Sequence, residues 1–413
     1  MNEPRERRAL SNVGGPASAE GDPRIADALR RALEVPPGED AHRDHVHGFH
    51  SYPARLHPAV ARGVVEALAP RVGDVLDPFC GSGTVTIEAR LAGRRALGTD
   101  LNPLAVRLAA LKTEGRPAAQ REALVTAARR IAAVATERRT KRAGASRRFP
   151  DEDVSSFAPH VLLELDGLRV GLEAEPEGPL RGDLWLVLSS ILTKLSNRRG
   201  DSAEGVAPKR IAAGYPSRLF IGKATELATR LAEYEALLPT GSIPPRLTVD
   251  DATKLTSIRD ASVDLIVTSP PYPGNYDYLA HHSMRLRWLG LSARRFDEGE
   301  IGARRHLTSH PADDARAIWT EQLRDVLSAM RRVLRPNGGA VLVLADSVIG
   351  KRAIYNDDVT RSAARAAGMN VVARAWQPRP HFHEPSRDAF RARPRCEHAL
   401  YLSAFHETPR RRG

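Results

Sequence analysis

The stretch Asp77-Pro78-Phe79-Cys80-Gly81-Ser82-Gly83-Thr84 decides the fold of this 413-residue chain. It follows a short apolar run that ends in an acid, Asp74–Asp77, and it precedes a helical pattern, Thr84–Leu91. Glycines at such a strand-to-helix turn let the backbone approach a ligand at the N-terminus of the helix. The next predicted strand, Arg95–Asp100, again ends in an acid, which is placed to accept hydrogen bonds from both hydroxyls of a ribose. The pattern therefore predicts a nucleoside site at the ends of two strands.

The same loop differs from the common phosphate-binding loops. It has no Gly-Lys-Ser/Thr ending, and Gly81-Ser82-Gly83-Thr84-Val85-Thr86 lacks the third glycine of a G-x-G-x-x-G run. A ligand that has a ribose and an adenine but no pyrophosphate fits better, so we predict S-adenosylmethionine as the cofactor. A glycine-rich turn that binds no ligand is the alternative.

Strand and helix patterns alternate through most of the chain, which predicts an α/β fold with a parallel sheet and helices on its faces. A long, basic, helical stretch interrupts this alternation. We therefore divide the chain into a flexible N-terminal leader with one short helix, a sheet domain in two parts, a helical insertion and a basic tail: residues 1–45, 46–113 with 244–405, 114–243 and 406–413, respectively.

The charge of the chain favours a polyanionic partner. Lys and Arg number 62 against 50 Asp and Glu, a formal net charge of +12, and excess positive charge is typical of nucleic-acid binding. Lys112–Arg148 alone holds eleven basic and three acidic residues. We predict that this part of the insertion helps to recognise DNA, with a solvated basic helix as an equal alternative. Arg379–Arg395 is a second candidate for DNA contact.

Composition also excludes several classes of protein. No apolar run approaches the ~20 residues that span a bilayer, and the two cysteines, Cys80 and Cys396, exclude a disulfide scaffold and fit a reducing cytosol. We predict a cytoplasmic protein with no membrane partner. Several histidines match no common zinc spacing, so we predict no metal and a surface or DNA-facing position for His281, His282, His306, His310, His381 and His383.

A second motif, Thr268-Ser269-Pro270-Pro271-Tyr272, follows the apolar run Val263–Thr268. Two prolines fix the backbone and remove two N–H donors, which leaves rigid carbonyl acceptors beside a flat tyrosine ring. An exocyclic amino group on a planar base could donate to those acceptors while its ring stacks on Tyr272. A strand-ending turn with a core tyrosine is the alternative, but the upstream cofactor motif favours the functional interpretation.

Together the two motifs resemble those of the amino-group DNA methyltransferases, which methylate cytosine N4 or adenine N6. Further similarity lies in the segment before the cofactor loop, the second cofactor motif and a short acidic motif: His50–Pro58, Gly98–Pro103 and Val249–Ala252. The resemblance covers about residues 50–113 and 246–405. It implies a Rossmann-like methyltransferase sheet with helices on both faces and a helical insertion, S-adenosylmethionine as cofactor, double-stranded DNA as substrate and a restriction endonuclease as a candidate partner.

The resemblance also implies roles for single residues. Asp100 would hold the ribose hydroxyls, Asp251 would contact the adenine amino group with Asp250 as the fallback, and Tyr52 and Pro53 would close over the methionine end. The other implied cofactor-binding residues are Asp77, Phe79, Gly81, Gly83, Thr84 and Asn102. The implied catalytic residues are Ser269, Pro270, Pro271 and Tyr272, of which the first two would bind the target amino group and the last would stack on the base.

A serine before Pro-Pro-Tyr is the form commonest among the cytosine-N4 enzymes, whereas adenine-N6 enzymes more often carry Asp or Asn there. We therefore predict an enzyme that methylates cytosine N4 in DNA after base flipping. Three alternatives stay open: an adenine-N6 DNA methyltransferase, a tRNA guanine-N2 methyltransferase, and a non-catalytic DNA-binding module that keeps the fold. The intact motif at Ser269 argues against the last.

Overall fold

A computed structural model of the chain describes residues 16–35, 41–197, 209–379 and 384–405. Its strands are β1 (Ser18–Gly21), β2 (Asp74–Asp77), β3 (Arg95–Asp100), β4 (Arg246–Val249), β5 (Val263–Thr268), β6 (Leu334–Ala345), β7 (Ser347–Ile349), β8 (Arg352–Ile354), β9 (Met369–Pro378) and β10 (Cys396–Ala404). Eight of them form one sheet in the order β1-β9-β10-β6-β5-β2-β3-β4, and β7 pairs with β8.

The centre of the sheet is parallel. Strands β4, β3, β2, β5 and β6 pair in parallel, whereas β10 runs antiparallel between β6 and β9 and β1 is antiparallel to β9. The order reverses between β2 and β5, and ligands of open α/β sheets bind at the carboxyl ends of strands where the order reverses. The predicted α/β, Rossmann-like sheet, including the closing hairpin of β9 and β10, is confirmed.

The helices are α1 (Pro23–Leu33), α2 (Pro58–Leu68), α3 (Thr84–Leu91), α4 (Pro103–Thr113), α5 (Ala118–Thr140), α6 (Asp151–Ser156), α7 (Pro159–Glu173), α8 (Pro179–Leu195), α9 (Tyr215–Leu237), α10 (Tyr278–Trp288), α11 (Arg294–Gly299), α12 (Arg304–Leu307), α13 (Ala312–Val333), α14 (Asn356–Ala366) and α15 (Glu384–Ala389). In the described ranges, none combines the length and apolar character needed to cross a bilayer.

Alternating residues of the central strands pack into two hydrophobic cores, one on each face of the sheet. Val75 and Leu265 pack with α1, α2 and α3 on one face of the sheet, while their neighbours Leu76 and Ile266 pack with α13 and α14 on the other. This period of two follows from the pleat of a strand that is buried on both faces. Helices therefore cover both faces and leave the strand ends as the place for a site.

The inserted helices share a third core with the sheet domain. Helices α5, α7, α8 and α9 bury Ile131, Leu168, Ile191 and Leu227 in one cluster that also contains Leu108 of α4. Helix α7 is not predicted from the sequence. Its apolar positions surround the helix almost completely, so they give no clear amphipathic stripe. The insertion is thus packed directly against the strand–helix units that precede it.

Two stretches differ from the predictions. Within the predicted leader, residues 16–35 form β1 and the predicted short helix α1, whose Leu29 and Leu33 are fully buried against the sheet. The predicted turn at 336–339 lies inside β6, where the partners of β5 shift from Leu334 to Gly339. Residues 1–15, 36–40, most of the predicted polar loop (198–202), His381, Phe382, His383 and the tail 406–413 lie outside the described residues.

Gly83 is required by the close approach of two helices. It has φ +93°, and a Cβ there would lie 3.1 Å from the Cα of Ala109 in α4. We expect Gly83→Ala to lower the free energy of unfolding by about 1–3 kcal/mol, from left-handed strain and overpacking. Urea denaturation measures the change. Gly182→Ala is the control, because nothing lies within 4 Å of that position, and it should leave stability equal or slightly higher; equal stability of both variants would contradict the packing role.

Candidate active site at the carboxyl edge of the sheet

One cavity lies at the carboxyl ends of β2, β3 and β5, where the strand order reverses. Its lining combines the predicted cofactor loop with the predicted catalytic turn, and includes Tyr52, Pro53, Asp77, Phe79, Gly81, Thr84, Asp100, Asp251, Ser269 and Pro271. Residues from five separate sequence segments therefore meet at one edge of the sheet.

Asp77 ends β2 and is almost completely buried. Its Oδ1 accepts hydrogen bonds from the Thr268 hydroxyl (2.7 Å) and from the Phe79 amide (3.1 Å). Burial raises the pKa of this carboxyl to about 7, although both hydrogen bonds act in the opposite direction. Asp77 thus connects the predicted cofactor loop to β5, the strand that leads into the predicted catalytic turn.

Asp100 is the last residue of β3, and its carboxylate binds the backbone of the glycine loop. Its Oδ2 accepts from the Gly81 amide (2.9 Å) and its Oδ1 from the Asn102 amide (2.8 Å). Burial raises the pKa of the Asp100 carboxyl to about 6. Each carboxylate oxygen has two lone pairs, so each keeps one acceptor position for a ligand hydroxyl after these backbone bonds.

Tyr52 covers the glycine loop. Gly81 has φ +49°, and a Cβ there would lie 3.2 Å from Cε1 of Tyr52. The Tyr52 ring stacks on His282, with ring centroids 4.7 Å apart. His282 is fully buried, so the prediction that it faces the surface or DNA is wrong; it supports the residue that closes the pocket.

The two neighbouring acids after β4 differ in availability. Asp250 accepts four hydrogen bonds within its own loop, from the Asp251 and Ser257 amides and the Thr256 and Ser257 hydroxyls. Asp251 lines the cavity, with Oδ1 bonded to Thr253 and Oδ2 3.0 Å from Lys254 Nζ. Asp251 is therefore the better placed of the two to contact a ligand.

The residues of the predicted catalytic turn line two adjoining cavities. Ser269 and Pro271 line the first cavity, whereas Tyr272 lines a second one, and Arg55, Leu56 and Thr84 line both. The Ser269 hydroxyl donates to the Tyr272 oxygen (3.4 Å), and the Tyr272 hydroxyl donates to Glu397 Oε1 (3.4 Å). Burial raises the pKa of Tyr272, so its hydroxyl is neutral. The Tyr272 side chain therefore lies in a cavity that adjoins the first one.

Three predicted residues lie outside the lining of both cavities. Gly83 serves helix packing, as described above, and Asn102 is the buried N-cap of α4, whose Oδ1 accepts from the Leu104 amide (3.0 Å). Pro270 lies between two residues that line the first cavity. The roles predicted for these residues stay predictions.

The sequence reasoning assigned no role in the site to several residues of the cavity walls, among them Tyr278, Glu300 and Glu397, and it predicted Arg379 only as the first residue of a candidate DNA-contact segment. Tyr278 and Glu300 line the first cavity, and Glu300 accepts from the Tyr278 amide (2.6 Å). Arg379 and Glu397 line the second. Glu397 is the second residue of the mostly buried strand β10, and an acid within that apolar run was the one available signal.

Two buried groups in the described ranges have ligand types that metals use: His45, His47 and Glu88, and Asp346, Asp357 and His398. In the first, Glu88 accepts from His47 (2.7 Å) and from Arg62 (2.9 Å). In the second, Asp357 forms ion pairs with both Arg374 and Arg393. We interpret both groups as internal hydrogen-bond networks.

The basic helix α5 pairs much of its charge within the insertion. Its ion pairs, and those of the turn before it, are Arg116–Asp183, Arg121–Glu235, Arg130–Glu175, Arg138–Asp166 and Arg139–Glu164. These acids lie on α7, α8 and α9 or the loop after α7, so counting charges along one segment overstated the free positive charge. A DNA-recognition role for the insertion stays a prediction.

The chain is similar in sequence to known methyltransferases. The family model described as DNA methylase matches residues 31–111. Type II methyltransferase M.MvaI of Kocuria varians is 24% identical over 266 residues, 59% of this chain and 58% of that protein. Type II methyltransferase M.BsoBI of Geobacillus stearothermophilus is 22% identical over 284 residues, 61% of this chain and 54% of that protein. The match spans little more than half the length of either relative.

A shorter match involves an RNA-modifying enzyme. The tRNA (guanine(10)-N2)-dimethyltransferase of Methanothermobacter thermautotrophicus is 44% identical over 52 residues, which is 12% of this chain and 16% of that protein. The predicted resemblance to the amino-group methyltransferases is confirmed by the family model and the two longer matches.

Proposed function

We propose that this chain, as a relative of the N4/N6 amino-group methyltransferases, transfers a methyl group from S-adenosylmethionine to the N4 amino group of cytosine in DNA. One observation carries the proposal: Ser269 and Pro271 of the Ser-Pro-Pro-Tyr turn line the same cavity as Asp100 and Gly81 of the nucleoside-binding loops. Cofactor and base would therefore meet at one edge of the sheet.

The described residues fit an adenosine with a charged methionine end. The Asp100 carboxylate keeps an acceptor for each ribose hydroxyl, and Asp251 offers an acceptor to an adenine amino group. Tyr52 and Phe79 provide apolar ring surface beside Gly81. In their ionised forms, the carboxylates of Asp77 and Asp100 favour a sulfonium cation through charge.

The main task of the protein would be to position the target amino group against the methyl group of the cofactor. When bound, S-adenosylmethionine supplies an electrophilic methyl group. The lone pair of a cytosine amino group is conjugated with the ring, and hydrogen bonds from that group to Ser269 Oγ and the Pro270 carbonyl would localise it on nitrogen. The nitrogen would attack the methyl carbon in line as the carbon–sulfur bond breaks, and an amino proton would leave to solvent. Oriented dipoles and proximity supply most of the rate gain.

Access to the amino group requires that the nucleotide leave the duplex, which costs a few kcal/mol. Stacking on Tyr272 would offset part of that cost, since stacking of a base on an aromatic side chain contributes about 1–3 kcal/mol. Double-stranded DNA is accordingly the proposed substrate, and a restriction endonuclease partner stays a prediction.

Nucleoside analysis tests this function. The protein is incubated with methyl-labelled cofactor and either unmethylated DNA or tRNA, and the products are digested to nucleosides and separated. The proposal predicts label in 4-methylcytosine from DNA. Label in 6-methyladenine would favour the adenine-N6 alternative, label in an N2-methylated guanine of tRNA would favour the RNA alternative, and no label with either substrate would favour a binding module.

The pKa of Asp100 gives cofactor binding a pH dependence. Hydroxyls donate to the ionised carboxylate, and burial raises the pKa of that group to about 6. Affinity for S-adenosylmethionine should therefore fall as the pH drops from 7.5 to 5, and each of the two titrating carboxyls, Asp100 and Asp77, contributes at most about tenfold per pH unit. Calorimetric titration at a series of pH values measures the slope, and Asp100→Asn should reduce it to the part contributed by Asp77. A constant or rising affinity in acid would contradict this assignment.

A further inference from the structure

The second cavity contains a charged pair that the proposed chemistry has not used. Arg379 follows β9, Glu397 is the second residue of β10, and both line this cavity together with Tyr272. Strand β9 is parallel to the centre of the sheet and β10 is antiparallel to it, so the end of the one and the start of the other lie at the carboxyl edge. The pair thus lies at the same edge of the sheet as the catalytic turn.

Glu397 holds Arg379 and Tyr272 in fixed relation. Arg379 donates through both Nε (3.0 Å) and Nη2 to Glu397 Oε2, while Glu397 Oε1 accepts from the Tyr272 hydroxyl. The backbone amide of Arg379 also donates to the Arg395 carbonyl (2.8 Å). The guanidinium is therefore oriented by the same carboxylate that contacts the predicted stacking residue.

One nitrogen of this guanidinium, Nη1, has N–H donors that are not used. The Arg379 side chain is 9% exposed, and its Nη1 is buried without a hydrogen-bond partner among the described residues. A buried charged donor without a partner is costly, by more than a neutral group. Such a donor, beside a cavity, indicates a place where a ligand acceptor completes the arrangement.

We propose that Arg379 reads the acceptor edge of the flipped cytosine, with Nη1 donating to ring N3 and the neighbouring O2. This assignment rests on the proposed function, because it needs a flipped base on Tyr272. Flipped bases are read through hydrogen bonds to their Watson–Crick edge. Cytosine has two acceptors, N3 and O2, beyond its amino group, whereas adenine has N1 followed by a C–H, so a forked donor at this position favours cytosine.

The contact makes Arg379 a specificity and positioning residue. A cation at N3 draws electron density from the amino group, so it does not assist the attack itself; that task stays with Ser269 and the Pro270 carbonyl. The loss of Arg379 should raise the KM for DNA and relax the preference for cytosine, more than it lowers the rate of methyl transfer from bound substrate.

The test combines a substitution of Arg379 in the protein with a substitution of the target base in the DNA. Once the methylated site has been mapped by sequencing, duplexes are made with cytosine or 3-deazacytosine, which lacks the N3 acceptor, at the target. Wild-type protein should lose about 10- to 100-fold in kcat/KM with the analogue, as expected for a hydrogen bond to a charged donor. Arg379→Ala should lose a similar factor with cytosine, mostly in KM, and almost nothing further with the analogue.

A control variant tests whether Arg379 has only the structural role of an ion pair. Arg31→Ala removes an exposed arginine of α1 (69% exposed side chain) that lies outside both candidate DNA-contact segments, and it should behave as wild type. If Arg379→Ala no longer binds S-adenosylmethionine, Arg379→Lys replaces it; the lysine keeps one donor and should show a smaller analogue penalty than wild type. An equal analogue penalty in wild type and variants, or full activity of Arg379→Ala, would overturn the assignment.

The outcomes also distinguish this inference from the proposed function. If wild-type protein forms no 4-methylcytosine, the proposed function fails and the role of Arg379 fails with it. If wild-type protein forms 4-methylcytosine and the variants show no coupling to N3, the proposed function stands and only the base-reading role is lost.

Discussion

Replacing Asp100 with alanine is expected to weaken S-adenosylmethionine binding by about 10²- to 10⁴-fold. The change removes two charge-assisted hydrogen bonds to the ribose, each contributing about 1.5–3 kcal/mol. It also removes the acceptors that position the Gly81 and Asn102 amides. Isothermal titration calorimetry with cofactor alone measures the loss. Asp100→Asn keeps one oxygen acceptor and should lie between wild type and alanine.

A matched control guards against a general loss of fold. Asp313→Ala removes an exposed carboxylate (76% exposed side chain) that pairs with Arg352, far in sequence from the cofactor loop, and should bind cofactor as wild type does. If Asp100→Ala bound cofactor with unchanged affinity while remaining folded by circular dichroism, the ribose would not lie at the end of β3.

Replacing Tyr272 with alanine is expected to reduce methyl transfer to DNA by about 10- to 100-fold, with cofactor affinity almost unchanged. The change removes the ring on which the flipped base would stack, a contribution of about 1–3 kcal/mol. Tyr272 lines the second cavity rather than the first, so the cofactor loses no direct contact. Single-turnover kinetics with saturating cofactor measure the rate.

Tyr272→Phe separates the ring from its hydroxyl. The phenyl ring keeps the stacking surface and loses the hydrogen bonds to Ser269 and Glu397, so most of the activity should remain. Tyr215→Ala, at a partly exposed tyrosine of the insertion, is the control and should not change the rate. A large loss of cofactor affinity in Tyr272→Ala would argue that the ring belongs to the cofactor cavity.

The sequence predicted the parts of the site that local patterns encode. Asp77 and Asp100 end short apolar runs, so their places at the ends of adjacent strands follow from strand and turn signals alone. Ser269 follows a third such run. Their convergence required only that parallel strands present their carboxyl ends at one edge of a sheet.

The parts that were missed depend on contacts distant in sequence. Arg379 begins a segment predicted to contact DNA, but its place in a cavity beside Glu397, 18 residues away, depends on strand pairing that the sequence does not indicate. The charge of α5 was overestimated because its acidic partners, such as Glu175 and Glu235, lie on other segments. His282 was assigned to the surface because a histidine pair in a polar sequence carries no burial signal.

The most direct test of the account is a crystal structure of the chain with S-adenosylhomocysteine and a duplex that contains its methylation site. The account predicts the cofactor ribose on Asp100, its sulfur near Phe79, and a cytosine outside the helix with its amino group at Ser269 and Pro270. Cofactor bound away from the Gly81 loop, or a target base on the far side of the sheet from that loop, would contradict it.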